Sequence, residues 1–492
     1  MKTIIVIGAG IGGLSAAALL AAKGHNVTVI ERNERAGGKM NEFRQNGFRF
    51  DTGPSLMTMP FILADLFKSC GKDLVDYLNL IPLDLLCRYH YADGTVFNCY
   101  SDTEKTLQEI RRIAPEDADA YVGFLSYSKN IYERTAGSFL ENPLYSFSDF
   151  SNLNFFDLLK IDALTTVSKR IDRVFHSDYM RMFFKRFTTY NGSSPYLAPA
   201  TLNVIPHVEL TLGGYYLSGG LYSLASALVR LGTDLGVKYH YNETVKNITG
   251  KNRTVHGIIT GSGEEIACNV VFSNSDAAET YSHLLSGPMA DKAMRRKVEK
   301  AEPSCSGFVL LLGTDRIFDS LGHHTIFYSG DYRREFDDLF VHKRPSEDPT
   351  IYVANTSHTE TGHAPAGMSN LFVLVNAPYL TNQSDWESEK DDYASLIIRQ
   401  LENRGLKGLG DSIRVKSIIT PAEFYEKYRS NRGSIYGTSS NDRLSAFRRP
   451  SNKARNINGL YLTGGSTHPG GGIPLTVLSA RHAVTLFQRD FE

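Results

Sequence analysis

Residues 3–31 constrain the fold of this chain more than any other stretch. Thr3 to Ile7 (TIIVI) is a short β-branched run, the pattern of a buried parallel strand. Gly8-Ala9-Gly10-Ile11-Gly12-Gly13 follows and matches G-x-G-x-x-G. Leu14 to Lys23 is rich in Ala and Leu and reads as a helix, closed by Gly24. Val27 to Ile30 reads as a second strand, with Glu31 at its C-terminal end. Each part has a physical task. Gly8 permits a tight turn out of the strand, Gly10 lets backbone approach a pyrophosphate, and Gly13 lets helix and strand pack closely. The helix N-terminus offers free N–H groups and a positive dipole end to an anion. Glu31 is placed to accept hydrogen bonds from a ribose.

This unit implies a Rossmann-type dinucleotide site, and the residues after it distinguish the dinucleotide. Arg35-Ala36-Gly37-Gly38-Lys39 lies just past Glu31 and Arg32. That run resembles the extended FAD motif of the amine-oxidase and carotenoid-desaturase superfamily, where the position of Lys39 is more often arginine. Phe50-Asp51-Thr52-Gly53-Pro54 resembles the superfamily segment that lies near the isoalloxazine. Farther on, Gly219-Gly220-Leu221 introduces a helix expected through Leu231. A strand is expected at Gly236 to Tyr239, and Val245 stands where relatives contact the adenine side. Val255 to Thr260 and Glu265 to Phe272 flank Gly261-Ser262-Gly263 and read as a hairpin. Leu460 to Thr463 is a strand pattern. It runs into Gly464-Gly465-Ser466-Thr467-His468-Pro469-Gly470-Gly471-Gly472-Ile473-Pro474 and a helix expected from about Leu475 to Arg489. Many superfamily members carry Gly-Asp where this chain has Gly465-Ser466; carotenoid desaturases lack that aspartate.

Over essentially its whole length the chain resembles the bacterial carotenoid desaturase/oxygenase family, the phytoene-desaturase-like flavoenzymes. Tyr190 to Ser194, Asp348 to Tyr352, Asn431 to Gly437 and Gly470-Gly471-Gly472 look closest to the diapocarotenoid (C30) oxygenase branch. The resemblance implies an α/β fold, with a Rossmann-type FAD-binding domain and a discontinuous α+β substrate domain. The FAD part would comprise residues 1–75, 215–276 and 455–492, and the substrate part 76–214 and 277–454. It also implies that FAD is held by Gly8, Gly10, Gly12, Gly13, Glu31, Arg32, Gly38, Lys39, Gly53, Pro54, Val245, Gly464, Gly465, Gly472, Ile473 and Pro474. The implied reaction is oxidation of a terminal methyl group of a C30 polyene to an aldehyde, with O2 or another electron acceptor. Desaturation is the alternative, an amine oxidase a second, and a non-catalytic flavin carrier a third.

Composition narrows the partners. At 492 residues the chain exceeds the roughly 250–300 residues of a single core. Lys+Arg and Asp+Glu are both 53, so no global charge draws it to nucleic acid. Between Phe139 and Tyr190 aromatics (Phe147, Phe150, Phe155, Phe156, Phe175, Phe183, Phe184, Phe187) interleave with Lys160, Arg173, Arg181 and Arg186. Amphipathic helices lining an apolar tunnel or lying on a membrane are expected there. The uncharged run from Thr3 to Ala22 competes as a signal peptide or membrane span, but four glycines interrupt it. The expectation is a peripheral protein of the cytoplasmic membrane face, with neither signal peptide nor span. No CxxC occurs among the five cysteines, and His207-x-Glu209 has no third ligand, so no metal is expected. His468, inside the glycine-rich loop, is the candidate for positioning substrate or moving a proton.

Overall fold

The structure, a computed structural model, describes residues 1–137, 161–442 and 448–491. The expected aromatic positions Phe139, Phe147, Phe150, Phe155 and Phe156, and Lys160, lie outside the described residues.

Five parallel strands form one sheet, in the order Leu460–Leu462, Val270–Ser273, Thr3–Ile7, Asn26–Ile30, Lys238–His240. Its members come from three stretches far apart in sequence. The first strand is central and its residues Ile4 to Ile7 are buried, as a strand covered on both faces must be. Helix Ile11–Ala22 packs against helices Ser223–Asp234 and Ile473–Phe491. It is buried from Ile11 to Ala21, which explains its run of small and apolar residues without a polar face.

The expected hairpin forms only in part. Thr254–Thr260 pairs antiparallel with Glu265–Ala267 and also with Val245–Lys251, giving three strands. The chain then breaks and Val270–Ser273 joins the parallel sheet instead. Asn269 makes the switch: its N–H donates to Thr3 O (2.9 Å) and its Oδ1 accepts from Thr3 N (2.9 Å).

A second sheet has seven strands. Their order is Ile413–Ile419, Ser306–Thr314, Ser369–Ala377, Ile351–Ala354, His324–Phe327, Leu85–His90, Val96–Tyr100. All neighbours are antiparallel except His324–Phe327 with Leu85–His90. Strand alternation sorts its two faces. Phe308, Leu310 and Leu312 pack with Ile397 and Leu401 of helix Trp386–Asn403. Val309 and Leu311 face the other way with Phe372, toward Phe48 and Phe50.

A buried ion pair ties the small hairpin Glu42–Gln45/Phe48–Asp51 to the first sheet's helical layer. Arg49 donates to both oxygens of Asp51 at 2.7 Å. Asp51 in turn accepts the N–H groups of Leu221 and Tyr222 at 3.0 Å, just ahead of helix Ser223–Asp234.

Candidate active site

One cavity of about 890 Å³ runs from the glycine loops of the parallel sheet to the inner face of the seven-stranded sheet. Its polar end begins where Ile7 leaves the first strand. Gly8 N donates to Ile30 O (2.8 Å) and Leu14 N to Gly10 O (2.9 Å), so the turn is fixed at both ends. A Cβ on Gly13 would stand 2.1 Å from Gly8 O, so only glycine allows the helix this close to the strand. Helix Ile11–Ala22 opens at Gly10 with no side-chain cap and no acidic residue in its first turn. Its leading N–H groups therefore have no side chain competing for them, and an anionic group fits there.

Glu31 is buried and holds the loop from the side. Oε2 accepts the Ala9 N–H (2.7 Å), and Oε1 accepts from Asn33 N and Nδ2 (both 2.9 Å). Oε1 is thereby filled, while Oε2 keeps a lone pair for a ribose hydroxyl. Gly8, Gly10, Gly12, Glu31 and Arg32 all line the cavity. Gly38, Lys39, Gly53 and Pro54 form the next part of the wall. These two segments touch: a Cβ on Gly53 would lie 2.0 Å from Lys39 O. Lys39 Nζ donates to the carbonyls of Ser434 (3.2 Å) and Ile435 (3.1 Å). Burial lowers its pKa, partly offset by the Asp276 carboxylate. Val245 lines the outer end, and Gly465, Gly472, Ile473 and Pro474 close the opposite side at the start of helix Ile473–Phe491.

Three of the expected residues do not line the cavity. Gly13 and Gly464 lie behind it; a Cβ on Gly12 would meet Gly464 backbone at 3.0 Å, so the two glycine loops are pressed together. His468 is the third, and its expected place beside the reacting atoms is not what the structure shows. Its N–H donates to Pro450 O (3.0 Å), its carbonyl accepts from Asn452 Nδ2 (2.9 Å), and its ring stacks on His482 at 5.6 Å. Thr467 Oγ1 bonds back to Gly464 O (2.9 Å), which turns residues 467–468 into the core. The loop reaches the cavity again at Gly471 and Gly472.

The structure adds residues that the sequence reading did not assign. Asn274 sits beneath both glycine loops, donating to Thr463 O (3.0 Å). It lies in VVFSNSD, directly after a strand of the parallel sheet, which is the signal that could have found it. Asp276 caps the next turn through Ala278 N (2.9 Å), and burial raises its pKa.

The far half of the cavity is mostly apolar, with Leu56, Leu86, Val309, Ile326, Phe372 and Leu374 in its wall. Two polar groups stand in it. Ser55 Oγ, Tyr352 OH and His324 Nδ1 form a chain with spacings of 2.5 and 2.7 Å. Burial pushes the His324 pKa well down, so the ring is neutral. Arg186 pairs with Glu209 at 2.5 Å, and Glu209 also accepts the Tyr190 hydroxyl. The Arg186 guanidinium lies 4.1 Å from the Phe187 ring centre.

Fold and cavity together define a FAD-dependent oxidoreductase with an apolar substrate chamber. The chain matches the flavin containing amine oxidoreductase family over residues 11–486 and belongs to it. Within it, the chain groups with carotenoid oxygenases and desaturases. It is 35% identical over 489 residues to a 4,4'-diapolycopene oxygenase of Methylomonas sp, covering 98% of this chain and 97% of that protein. A 1-hydroxycarotenoid 3,4-desaturase of Flavobacterium sp. (strain P99-3) is 36% identical, with 98% of each chain covered. A 4,4'-diaponeurosporene oxygenase of Staphylococcus aureus (strain MSSA476) is 33% identical, covering 98% of this chain and 97% of that one. A solved putrescine oxidase has the same fold at a TM-score of 0.66 and 13% identity, covering 99% of both chains. Among the described residues no helix is long and apolar enough to cross a membrane, and no group of three metal-ligating side chains occurs.

Proposed function

We propose that this protein oxidises a carotenoid, converting a terminal methyl group of a C30 diapocarotenoid to an aldehyde. The observation that carries this reading is the single cavity that joins a dinucleotide-binding glycine loop to an apolar chamber. Both oxygenase relatives are named for C30 polyenes and cover nearly the whole chain. A polyene has no charge to grip, so its binding rests on apolar burial, about 25 cal/mol per Å² removed from water.

The leading N–H groups of helix Ile11–Ala22 would hold the pyrophosphate, Glu31 the ribose, and the Val245 segment the adenine side. Lys39, Gly53, Pro54 and Gly465 to Pro474 would frame the ring system. Bound FAD supplies a two-electron acceptor. The chain positions the polyene end against it, excludes water with the apolar wall, and keeps the nearby imidazole of His324 uncharged. With O2 as oxidant the overall conversion balances: a methyl group and O2 give an aldehyde and water. The insoluble substrate would be collected from the cytoplasmic membrane surface.

Desaturation is the second reading, favoured by the 36% identity to a carotenoid 3,4-desaturase. Expression in a host that makes 4,4'-diaponeurosporene, followed by mass analysis of the pigments, separates the two. A product with one oxygen gained and two hydrogens lost supports the oxygenase, and label from ¹⁸O2 in that product identifies the oxygen source. Loss of hydrogens alone supports the desaturase, and flavin reduced by amines but not by polyenes overturns both.

A further inference from the structure

The chamber is apolar over most of its wall, yet one side holds polar atoms that the protein leaves unpaired. Arg186, His324 and Tyr332 all line the cavity and all are more than nine-tenths buried. Arg186 Nε, His324 Nε2 and the Tyr332 hydroxyl each lack a hydrogen-bond partner among the described residues. Native interiors leave few buried polar atoms unsatisfied, because each forfeits its hydration without a replacement. The three are joined through one aromatic cluster. The Arg186 guanidinium lies 5.3 Å from the Tyr89 ring centre, Tyr89 stacks on Tyr328 at 6.0 Å, and Tyr328 packs on Tyr332 at 5.5 Å. His324 shares a strand face with Ile326, which pairs with Tyr89. The cavity-lining hydroxyls around them are already committed: Tyr190 to Glu209, Tyr352 to His324 and Ser55, Thr350 to Glu335. Those of Tyr89 and Tyr328 are also without a partner among the described residues but do not line the cavity.

We propose that Arg186, His324 and Tyr332 form a receptor for an oxygen atom carried at one end of the polyene, and so select partly oxygenated substrates. This rests on the carotenoid reading above. Charge narrows the oxygen to a neutral one. The Arg186 cation is matched by Glu209 at 2.5 Å, so the group has no net charge to offer. A carboxylate end would bring a second anion beside Glu209, whereas a hydroxyl or aldehyde oxygen accepts from the Arg186 Nε–H and Tyr332 O–H without adding charge. A symmetric polyene oxidised once would then rebind turned around, its new oxygen in the receptor and its unreacted methyl at the flavin end.

The test uses FAD-loaded enzyme and three probes in phosphatidylcholine vesicles: 4,4'-diapolycopene, its mono-alcohol and its mono-aldehyde. The wild type is expected to show kcat/KM about tenfold higher for the mono-oxygenated probes, the worth of one good hydrogen bond. Arg186→Lys keeps a cation beside Glu209 but has no Nε–H, and Tyr332→Phe removes only a hydroxyl. Either variant is expected to bring the oxygenated-to-hydrocarbon ratio toward one, mainly through KM. A wild-type ratio near one, or a ratio that neither variant moves, overturns the receptor and leaves the carotenoid reading standing. Failure of all three polyenes to reduce the flavin overturns both. Should Arg186→Lys fold poorly, Tyr332→Phe alone decides.

Discussion

At Gly13 one methyl group stands between a closed and an open nucleotide loop. Its Cβ would overlap Gly8 O at 2.1 Å, a backbone atom that cannot swing aside. At Gly10 the nearest obstacle is Asn274 Oδ1 at 2.6 Å, the end of a movable side chain. Gly13→Val is therefore expected to abolish soluble folded protein. Gly10→Val is expected to fold, by circular dichroism, but to purify without the flavin absorbance, because its methyls occupy the pyrophosphate path. Normal flavin content in Gly10→Val would show that the phosphates lie elsewhere. His468 gives the converse case. Buried behind the loop against His482, it is expected on mutation to Ala to lower stability by about 1–3 kcal/mol and to lower flavin occupancy with it. Turnover per mole of bound FAD should stay at the wild-type value; a drop in that ratio would return His468 to the chemistry.

Among elements, two joints carry charge where charge is costly. The Arg49–Asp51 pair links the hairpin ending at Asp51 to the start of helix Ser223–Asp234. Asp51→Asn leaves Arg49 buried with half its partner, and a loss of about 3–5 kcal/mol is expected in denaturant titration. Glu335, on helix Tyr332–Asp337, accepts from Ser329 (2.9 Å) and Thr350 (2.7 Å). Burial raises its pKa from 4.5 to about 7. The folded state therefore holds a proton that the unfolded chain releases between pH 4.5 and about 7. Stability from this group is full below pH 4.5 and declines as pH rises through about 7. Glu335→Gln, neutral throughout, is expected to gain on the wild type across that window by up to about 1.4 kcal/mol per pH unit and to level off above it. A constant difference from pH 5 to 8 would show that the carboxyl is solvated. The two joints differ in how far the sequence displayed them. Phe50 to Pro54 stood out through its resemblance to a flavin-side segment, whereas nothing near Glu335 marks it, since its partners come from other turns.

For the whole molecule, what could be read in advance divides by distance along the chain. The nucleotide unit is written in consecutive residues, where glycine stereochemistry and strand and helix periods act locally. The second sheet is not: Leu85–His90 lies parallel to His324–Phe327, and no local pattern announces that partner. Arg186 and Glu209 were visible only as a basic residue among aromatics and as part of His207-x-Glu209; folding makes them a pair. The same non-locality governs the cofactor site, since strand Leu460–Leu462 and the loop after it complete a sheet begun at Thr3. A chain stopped at Gly459 is expected to hold no FAD after gel filtration despite an intact glycine motif, and yellow protein from it would show that the site does not need strand Leu460–Leu462 and the loop after it. During synthesis this ordering means that the flavin site stays unfinished while nearly all of the substrate chamber emerges from the ribosome. Cofactor capture then reports that translation has passed Leu462. A chain that stalls or is cut before that point stays colourless and loosely closed, and so is open to proteases that the loaded enzyme resists.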